Sequence, residues 1–135
     1  MIELTLDHGG VSVADLDVSR TFYTQVLGFT LEEEFRIPNT PIRGAVLINA
    51  TGSRVELFCR EGSEVGLPGH PTESTKQQGW FQLAFRVADL KATFDEVVAG
   101  GATAVKLPFT APDGRSQVAF IGDPDGNLIE LIQRS

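Results

Sequence analysis

The chain has 135 residues, of which 41% are hydrophobic, and a formal net charge of −7. This length and composition are typical of a single globular domain that buries a sizeable core. The 11 basic residues are scattered, whereas nucleic acids and anionic membranes require clustered cations. No apolar run approaches the ~20 residues of a membrane helix, and the opening MIELTLDH is typical of a strand rather than a signal peptide. We therefore expect a soluble, cytoplasmic protein that binds neither nucleic acid nor membrane.

The first half of the chain predicts the order βαβββ. A helix follows the opening strand, capped by Asp15 or Asp17 and ended by Gly28. Its predicted apolar face comprises Val18, Phe22, Val26 and Leu27. The next strands are expected over roughly 30–37, 42–50 and 53–60, where β-branched and aromatic residues are frequent. The last of them contains the only cysteine, Cys59, which excludes an internal disulfide and fits a small packed residue.

The second half predicts the same order. Its helix ends at Gly100-Gly101, and its predicted apolar face comprises Leu90, Phe94, Val97 and Val98. The strands after it are expected over roughly 102–107, 116–122 and 127–133. Asp125-Gly126, in GDPDGN, predicts a tight turn between the last two strands.

A segment rich in Gly, Pro, Ser and Thr separates the halves and predicts an exposed connection or a lid. We expect one domain over 1–135, with module 1 over about 1–61, the linker over about 62–78 and module 2 over about 79–135. The linker contains His70, which fits either an exposed loop residue or a substrate or proton-transfer group on a lid.

The two halves repeat each other at one constant shift along the chain, which we call the repeat offset. HGGVSVADL aligns with QLAFRVADL, and RVELF aligns with LIELI at the same shift. The repeat offset places His8 on Gln82 and Glu56 on Glu130. Agreement of two separated segments at one offset indicates a real duplication.

Side chains alternate along strands, so each of these four residues is predicted to lie opposite an apolar set that faces the helices. His8, Glu56, Gln82 and Glu130 would then face a cleft between the modules. Converging under near-twofold symmetry, they predict a metal site. The alternative is a cleft lined by polar residues that holds no metal, because each residue taken alone has an ordinary structural explanation.

Both halves resemble the βαβββ modules of the vicinal oxygen chelate superfamily, which includes glyoxalase I, methylmalonyl-CoA epimerase, ring-cleaving dioxygenases, fosfomycin-modifying enzymes and bleomycin-resistance proteins. The resemblance is carried by DHGGVSVADLDVSRTFYTQVLGF, RVELF, QLAFRVADL and IGDPDGNLIELI, which together cover nearly the whole chain. It implies an α+β fold in which two tandem βαβββ modules form a curved mixed sheet, a cup-shaped half-open barrel with the helices outside. The family's metal-ligand positions correspond here to His8, Glu56, Gln82 and Glu130.

Two glutamates, one histidine and one glutamine resemble the ligand set of glyoxalase I with its halves exchanged. The resemblance implies a divalent ion (Zn, Ni, Co, Mn or Fe). It places Arg86 where it can bind an anionic group of the substrate, with a structural or rim residue as the alternative. Ser12 stands at the first-module position where glyoxalase I usually has its glutathione-binding arginine, which leaves the thiol cosubstrate open. Trp80 is expected in the core or in the cleft wall beside the substrate.

The function implied is that of a metal-dependent glyoxalase I-like lyase or isomerase acting on a small molecule. The ion would chelate vicinal oxygens and stabilise an enediolate, while Glu56 or Glu130 takes and returns the proton. The alternatives are a metal-free drug-binding or resistance protein of the same fold, or a relative of the epimerases or dioxygenases. By analogy with the family, we expect a homodimer.

Overall fold

The computed structural model of the protein describes residues 1–135 and contains two βαβββ arrangements in succession. The elements of the first are β1 His8–Ser12, α1 Leu16–Gln25, β2 Thr30–Ile37, β3 Ile42–Ile48 and β4 Arg54–Arg60. The elements of the second are β5 Gln82–Arg86, α2 Leu90–Ala99, β6 Thr103–Thr110, β7 Gln117–Gly122 and β8 Leu128–Gln133. The predicted α+β fold of two such modules is confirmed.

The chain divides into two compact units, Met1–Val65 (unit 1) and Gly66–Ser135 (unit 2). Each contains an open four-stranded mixed sheet, in the order β1-β4-β3-β2 in unit 1 and β5-β8-β7-β6 in unit 2. The first strand of each unit pairs in parallel with the last, and the remaining pairs are antiparallel. Each helix packs on its own sheet, and neither is long and apolar enough to span a membrane.

The segment between β4 and β5, where the sequence predicts a linker over about 62–78 as an exposed connection or a lid, is mostly exposed. It includes a short 3₁₀ helix, Glu73–Lys76, and the division between the units falls at residue 65. Gly69 donates its backbone N–H to the carbonyl of Gly126 at 2.8 Å. Part of this segment is therefore attached to the turn before β8.

The first strand begins later than MIELTLDH predicts. Residues 1–7 form no strand, and Ile2, Leu4 and Leu6 are 84%, 89% and 92% exposed. The reason is register: His8 pairs with Arg54, the first residue of β4, so no partner strand lies beside residues 1–7. Alternation alone does not make a strand when there is no neighbour to accept its hydrogen bonds.

The helices bury slightly different faces from those predicted. Asp15 is the N-cap of α1, as one of the two expected candidates, and Asp89 caps α2. Val18 is 52% exposed, which corrects its assignment to the apolar face of α1. The residues that α1 buries are Leu16, Ser19, Phe22 and Tyr23, and those that α2 buries are Leu90, Phe94 and Val97.

The sixth strand is longer than expected, running past residue 107 to Thr110. It contains Pro108, which cannot donate to a ladder. The strand continues because β6 lies at the edge of its sheet and its pairing with β7 shifts between Lys106 and Phe109. Edge position and a register shift are the two places where a strand tolerates proline.

The duplication extends into the turns before β4 and β8. Asn49 Oδ1 accepts backbone N–H groups from Thr51 and Ser53, at 3.2 and 2.9 Å. At the repeat offset, Asp123 Oδ1 accepts from Asp125 and Asn127, both at 2.9 Å. These side chains set the direction in which the last strand of each unit departs.

Candidate metal centre

Unit 1 brings His8 and Glu56 together on one face of its sheet. The parallel pairing of β1 with β4 sets Gly10 opposite Glu56 and His8 opposite Arg54. His8 Nε2 lies 2.7 Å from Glu56 Oε2, and the two side chains are 39% and 19% exposed. The two atoms are therefore close enough to bind the same ion, and a ligand can reach them.

Asp7 holds the other nitrogen of the imidazole ring. Its Oδ2 lies 2.7 Å from His8 Nδ1. This hydrogen bond raises the pKa of His8, and the negative charge of Glu56 raises it further. The same bond lowers the pKa of Asp7. In the contact as it stands, Nε2 donates to Glu56. Loss of that proton, with the other kept on Nδ1 by Asp7, would let Nε2 offer its lone pair to an ion, as in many histidines that bind metals.

Sequence reasoning missed Asp7. The available signal was its place directly before His8. In a regular strand, neighbouring side chains point to opposite faces, which argues against contact between residues 7 and 8. The contact forms because Asp7 precedes β1 and is not bound by that alternation.

Unit 2 brings Gln82 and Glu130 together in the same way. The parallel pairing of β5 with β8 sets Ala84 opposite Glu130 and Gln82 opposite Leu128. Gln82 Nε2 donates to Glu130 Oε2 at 2.7 Å, and both residues are half-buried. Rotation of the amide about its last bond presents Oε1 in place of Nε2, so Gln82 can also offer an oxygen to an ion.

The chemistry of these donors fits a divalent metal ion. Imidazole nitrogen, carboxylate oxygen and amide oxygen are ligands of Zn, Ni, Co, Mn and Fe. Neither unit by itself gathers three or more His, Cys, Asp or Glu side chains suited to a metal. Each unit instead supplies one pair, and a site built from both pairs remains a prediction.

The other residues predicted to touch substrate are placed differently. Ser12 and Arg86, at the ends of β1 and β5, are exposed and lie by alternation on the faces that carry His8 and Gln82. Trp80 is 103% exposed and lies outside any regular element, so its expected place in the core is wrong. It precedes β5, whose first residue to pair is Gln82, and thus gains no neighbour from the sheet.

Aromatic rings flank the carboxylate of unit 1. Phe58, two positions from Glu56 on β4, meets Phe35 edge to face with ring centroids 5.4 Å apart. A Cβ on Gly44 would overlap the Phe35 ring, so the ring can occupy this position only because residue 44 is glycine. In unit 2, Phe109 stands at the repeat offset from Phe35 and stacks on the buried Phe120. The faces that carry the glutamates thus combine polar pairs with apolar walls.

Comparison with known proteins gives the family. Residues 5–131 match the model of the Glyoxalase/Bleomycin resistance protein/Dioxygenase superfamily. The chain belongs to this superfamily. The family match therefore covers both units and all four candidate ligands.

Relatives within the superfamily include proteins named as glyoxalases. The chain is 31% identical over 131 residues to a probable lactoylglutathione lyase of Vibrio cholerae, covering 93% of this chain and 88% of the relative. It is 30% identical over 131 residues to a probable lactoylglutathione lyase of Synechocystis, covering 95% and 94%. The crystal structure of glyoxalase I from Zea mays superposes with a TM-score of 0.71 at 27% identity, over 96% of this chain and 44% of the maize chain. The resemblance thus covers most of the Vibrio and Synechocystis proteins and less than half of the maize one.

Proposed function

We propose that the protein is a divalent-metal-dependent glyoxalase I-like lyase, in which His8, Glu56, Gln82 and Glu130 hold the ion. The observation that carries the proposal is the repeated pair: at one offset, each unit places an imidazole or amide nitrogen 2.7 Å from a glutamate oxygen. The relatives named lactoylglutathione lyase support this choice of reaction over the other members of the superfamily.

The ion, when bound, supplies Lewis-acid stabilisation of negative charge that develops on neighbouring oxygens of the substrate. The glutamates supply the proton transfer. A carboxylate that leaves its partner when substrate binds becomes a free base, able to take a proton from the carbon beside a carbonyl and to return it to the neighbouring carbon. Glu56 and Glu130 are both half-buried, which keeps them accessible while limiting competition from water.

The remaining residues position the donors and the substrate. Asp7 holds a proton on Nδ1 of His8 through its 2.7 Å bond, so that Nε2 is the nitrogen available to an ion. Arg86, exposed and without an ion-pair partner, is the cation that we assign to an anionic group of the substrate, such as the carboxylate of a thiol cosubstrate. We further propose that the working protein is a homodimer, so that the two pairs meet either within one chain or between two.

The test combines metal analysis with turnover. Purified protein is expected to contain about one divalent ion per pair of units, and to convert the hemithioacetal of methylglyoxal and glutathione. Glu56→Gln and Glu130→Gln should each lower kcat by roughly 10²–10⁴-fold, the usual contribution of general acid–base catalysis, and one of the two should retain the metal. Glu33→Gln, at an exposed glutamate of β2, is the matched control and should change neither quantity.

The outcomes separate the candidate functions. Full activity in both glutamate variants would contradict the proton-transfer role. A protein that lacks stoichiometric metal and is unaffected by chelators would instead favour a small-molecule binding or resistance protein of the same superfamily. Sedimentation of the active protein as a monomer would contradict the dimer.

A further inference from the structure

The turn that contains His70 is held together by its own side chains and backbone. His70 N–H donates to Ser74 Oγ at 2.8 Å, and Ser74 N–H donates back to the His70 carbonyl at 3.2 Å. These two hydrogen bonds close the turn, and the 3₁₀ helix Glu73–Lys76 overlaps its end. The imidazole is therefore carried by a closed turn rather than by a loose loop.

The hydrogen bonds of the turn determine which ring nitrogen carries the proton. His70 Nδ1 accepts the backbone N–H groups of Thr72 and Glu73, both at 3.1 Å. Backbone N–H groups only donate, so Nδ1 must present its lone pair, and the proton of the neutral ring lies on Nε2. Nε2 is at the opposite edge of the ring from Nδ1, and the residue is exposed. The turn thus presents one N–H donor outward in a fixed orientation.

The backbone that leads into this turn packs on β8, next to the strand position of the Gln82–Glu130 pair. The backbone of Gly69 is so close to β8 that a Cβ there would lie 2.5 Å from Leu128 Cβ. Leu128 is the pairing partner of Gln82, and it shares its face of β8 with Glu130, two positions further on. Leu128 is only 2% exposed, as expected for a residue covered on that face. The backbone directly before His70 therefore lies against the strand neighbour of Gln82 in unit 2.

The duplicated position in unit 1 has no such cover. A Cβ on Gly126 would meet Pro68 at 3.4 Å, whereas one on Gly52, its equivalent at the repeat offset, would meet nothing within 4 Å. The residue equivalent to Leu128 is Arg54, whose guanidinium is bonded to Glu32. The segment that carries His70 is thus an addition to one half of a duplicated site.

We propose that His70 is a substrate-binding residue whose Nε2–H donates to an oxygen of a ligand held beside Gln82 and Glu130. The ligand class is an oxygen-rich small molecule with a carbonyl or carboxylate group, and its identity as a hemithioacetal rests on the proposed function. His70 would give the site a donor on the side of unit 2 only. A duplicated site would then bind an asymmetric substrate in one orientation.

Two variants separate this role from capping of the turn. His70→Asn keeps an acceptor for the N–H groups of Thr72 and Glu73, because Asn readily makes such turns, but its shorter amide does not place an N–H at the Nε2 position. His70→Gln carries an amide N–H that reaches the Nε2 position, but it closes the turn less well. Metal content and the urea midpoint of His70→Asn should match those of the wild type.

Kinetics with the methylglyoxal–glutathione hemithioacetal then give the first answer. Loss of one neutral hydrogen bond should lower kcat/KM of His70→Asn by about tenfold, mainly through KM, with His70→Gln in between. Wild-type kinetics in a folded His70→Asn variant would overturn the proposal. If His70→Asn folds poorly, kcat/KM of folded His70→Gln at or below one-hundredth of wild type would contradict donation from this position.

Nitrogen-15 NMR of the histidine ring gives an answer that does not require turnover. In spectra of the neutral ring, the free protein should show the proton of His70 on Nε2, and addition of the same hemithioacetal should shift the Nε2 resonance. A mixture of tautomers, or saturation without a shift of Nε2, would overturn the proposal. Failure of the proposed function would appear separately, as absence of turnover and of metal in the wild type.

Discussion

The two units build the same pair from different chemistry. His8 and Gln82 are equivalent at the repeat offset, and each stands 2.7 Å from a glutamate across a parallel strand pair. His8 can gain a proton and is held by Asp7, whereas Gln82 is neutral and has Phe81 at the position equivalent to Asp7. The comparison shows that the fold determines where the pair lies, while single substitutions determine what each half can bind.

The turns before β4 and β8 show the same division. Asn49 and Asp123 both hold backbone N–H groups two and four positions ahead. Asn49 is half-buried in an open turn, whereas Asp123 is 3% exposed in a turn that also contacts Pro68. The two turns thus share their hydrogen bonds but differ in burial. The more buried turn belongs to unit 2, which also carries His70.

The largest expected effect comes from the equivalent core leucines. Leu57 is 0% and Leu131 is 3% exposed, so truncation of either to Ala should lower the free energy of unfolding by about 2–5 kcal/mol. Urea unfolding gives the loss, and amide hydrogen exchange assigns it to a unit. If Leu57→Ala lowers the protection of backbone amides from exchange equally in both units, the units unfold together. A loss of unfolding free energy below about 1 kcal/mol would contradict close packing at these positions.

Exchange of the neutral donors tests whether the halves are interchangeable. His8→Gln should weaken binding of Zn or Ni by at least roughly tenfold, because an imidazole ligand is lost. The double variant His8→Gln/Gln82→His restores one imidazole and one amide, and its affinity should return to within roughly tenfold of wild type. Calorimetric titration of metal-free protein measures both. No recovery in the double variant would show that the bond from Asp7 to His8 makes unit 1 the required position.

The helix caps should differ by a smaller amount. Asp15 accepts backbone N–H groups from Asp17 and Val18, both at 3.0 Å, while Asp89 accepts one, from Ala92 at 3.0 Å. Asp15→Ala should therefore cost about 1 kcal/mol or somewhat more, and Asp89→Ala somewhat less. Urea midpoints give the order, and Asp15→Asn, which keeps the acceptor, is the control. The reverse order would contradict the bond-counting argument.

The smallest expected effect is on acid stability and is confined to unit 2. The backbone N–H of Arg115, followed by the hydroxyl and N–H of Ser116, lowers the pKa of Asp113 to about 2. A pKa below the ordinary 3.8 means that this stabilisation is present above pH 3.8 and is lost as the pH falls through about 2. The equivalent residue of unit 1 is Asn39, which does not titrate.

The test is to follow the free energy of unfolding as the pH is lowered. Asp113→Asn should be less stable than wild type near neutral pH, and the two curves should converge toward about pH 2. Asn39→Asp is the matched change in unit 1. A constant difference between the curves at every pH would show that Asp113 acts through hydrogen bonding alone.

Local patterns predicted most of the secondary structure, and their errors have identifiable causes. The strands of both units and the cap at Asp15 follow from alternation and from short-range side-chain bonds. The assignment of Val18 is wrong because a helix pattern based on apolar residues passes over Ser19 and Tyr23, which are the buried ones. The core position expected for Trp80 is wrong because size and apolarity do not provide a neighbour.

By itself the sequence determined the duplication, the order of elements and the candidate ligands, because the repeat and the alternation can be read along the chain. Only the tertiary structure decided which groups meet. The contact of Glu56 with His8 joins the first and last strands of unit 1, and it depends on β1 lying beside β4. In unit 2, the contact of Glu130 with Gln82 depends in the same way on β5 lying beside β8. The hydrogen bond between Asp7 and His8 depends on where β1 begins, and the contact of Gly69 with Leu128 depends on where β8 begins. Such contacts follow from strand order and register, which periodicity in the sequence does not specify.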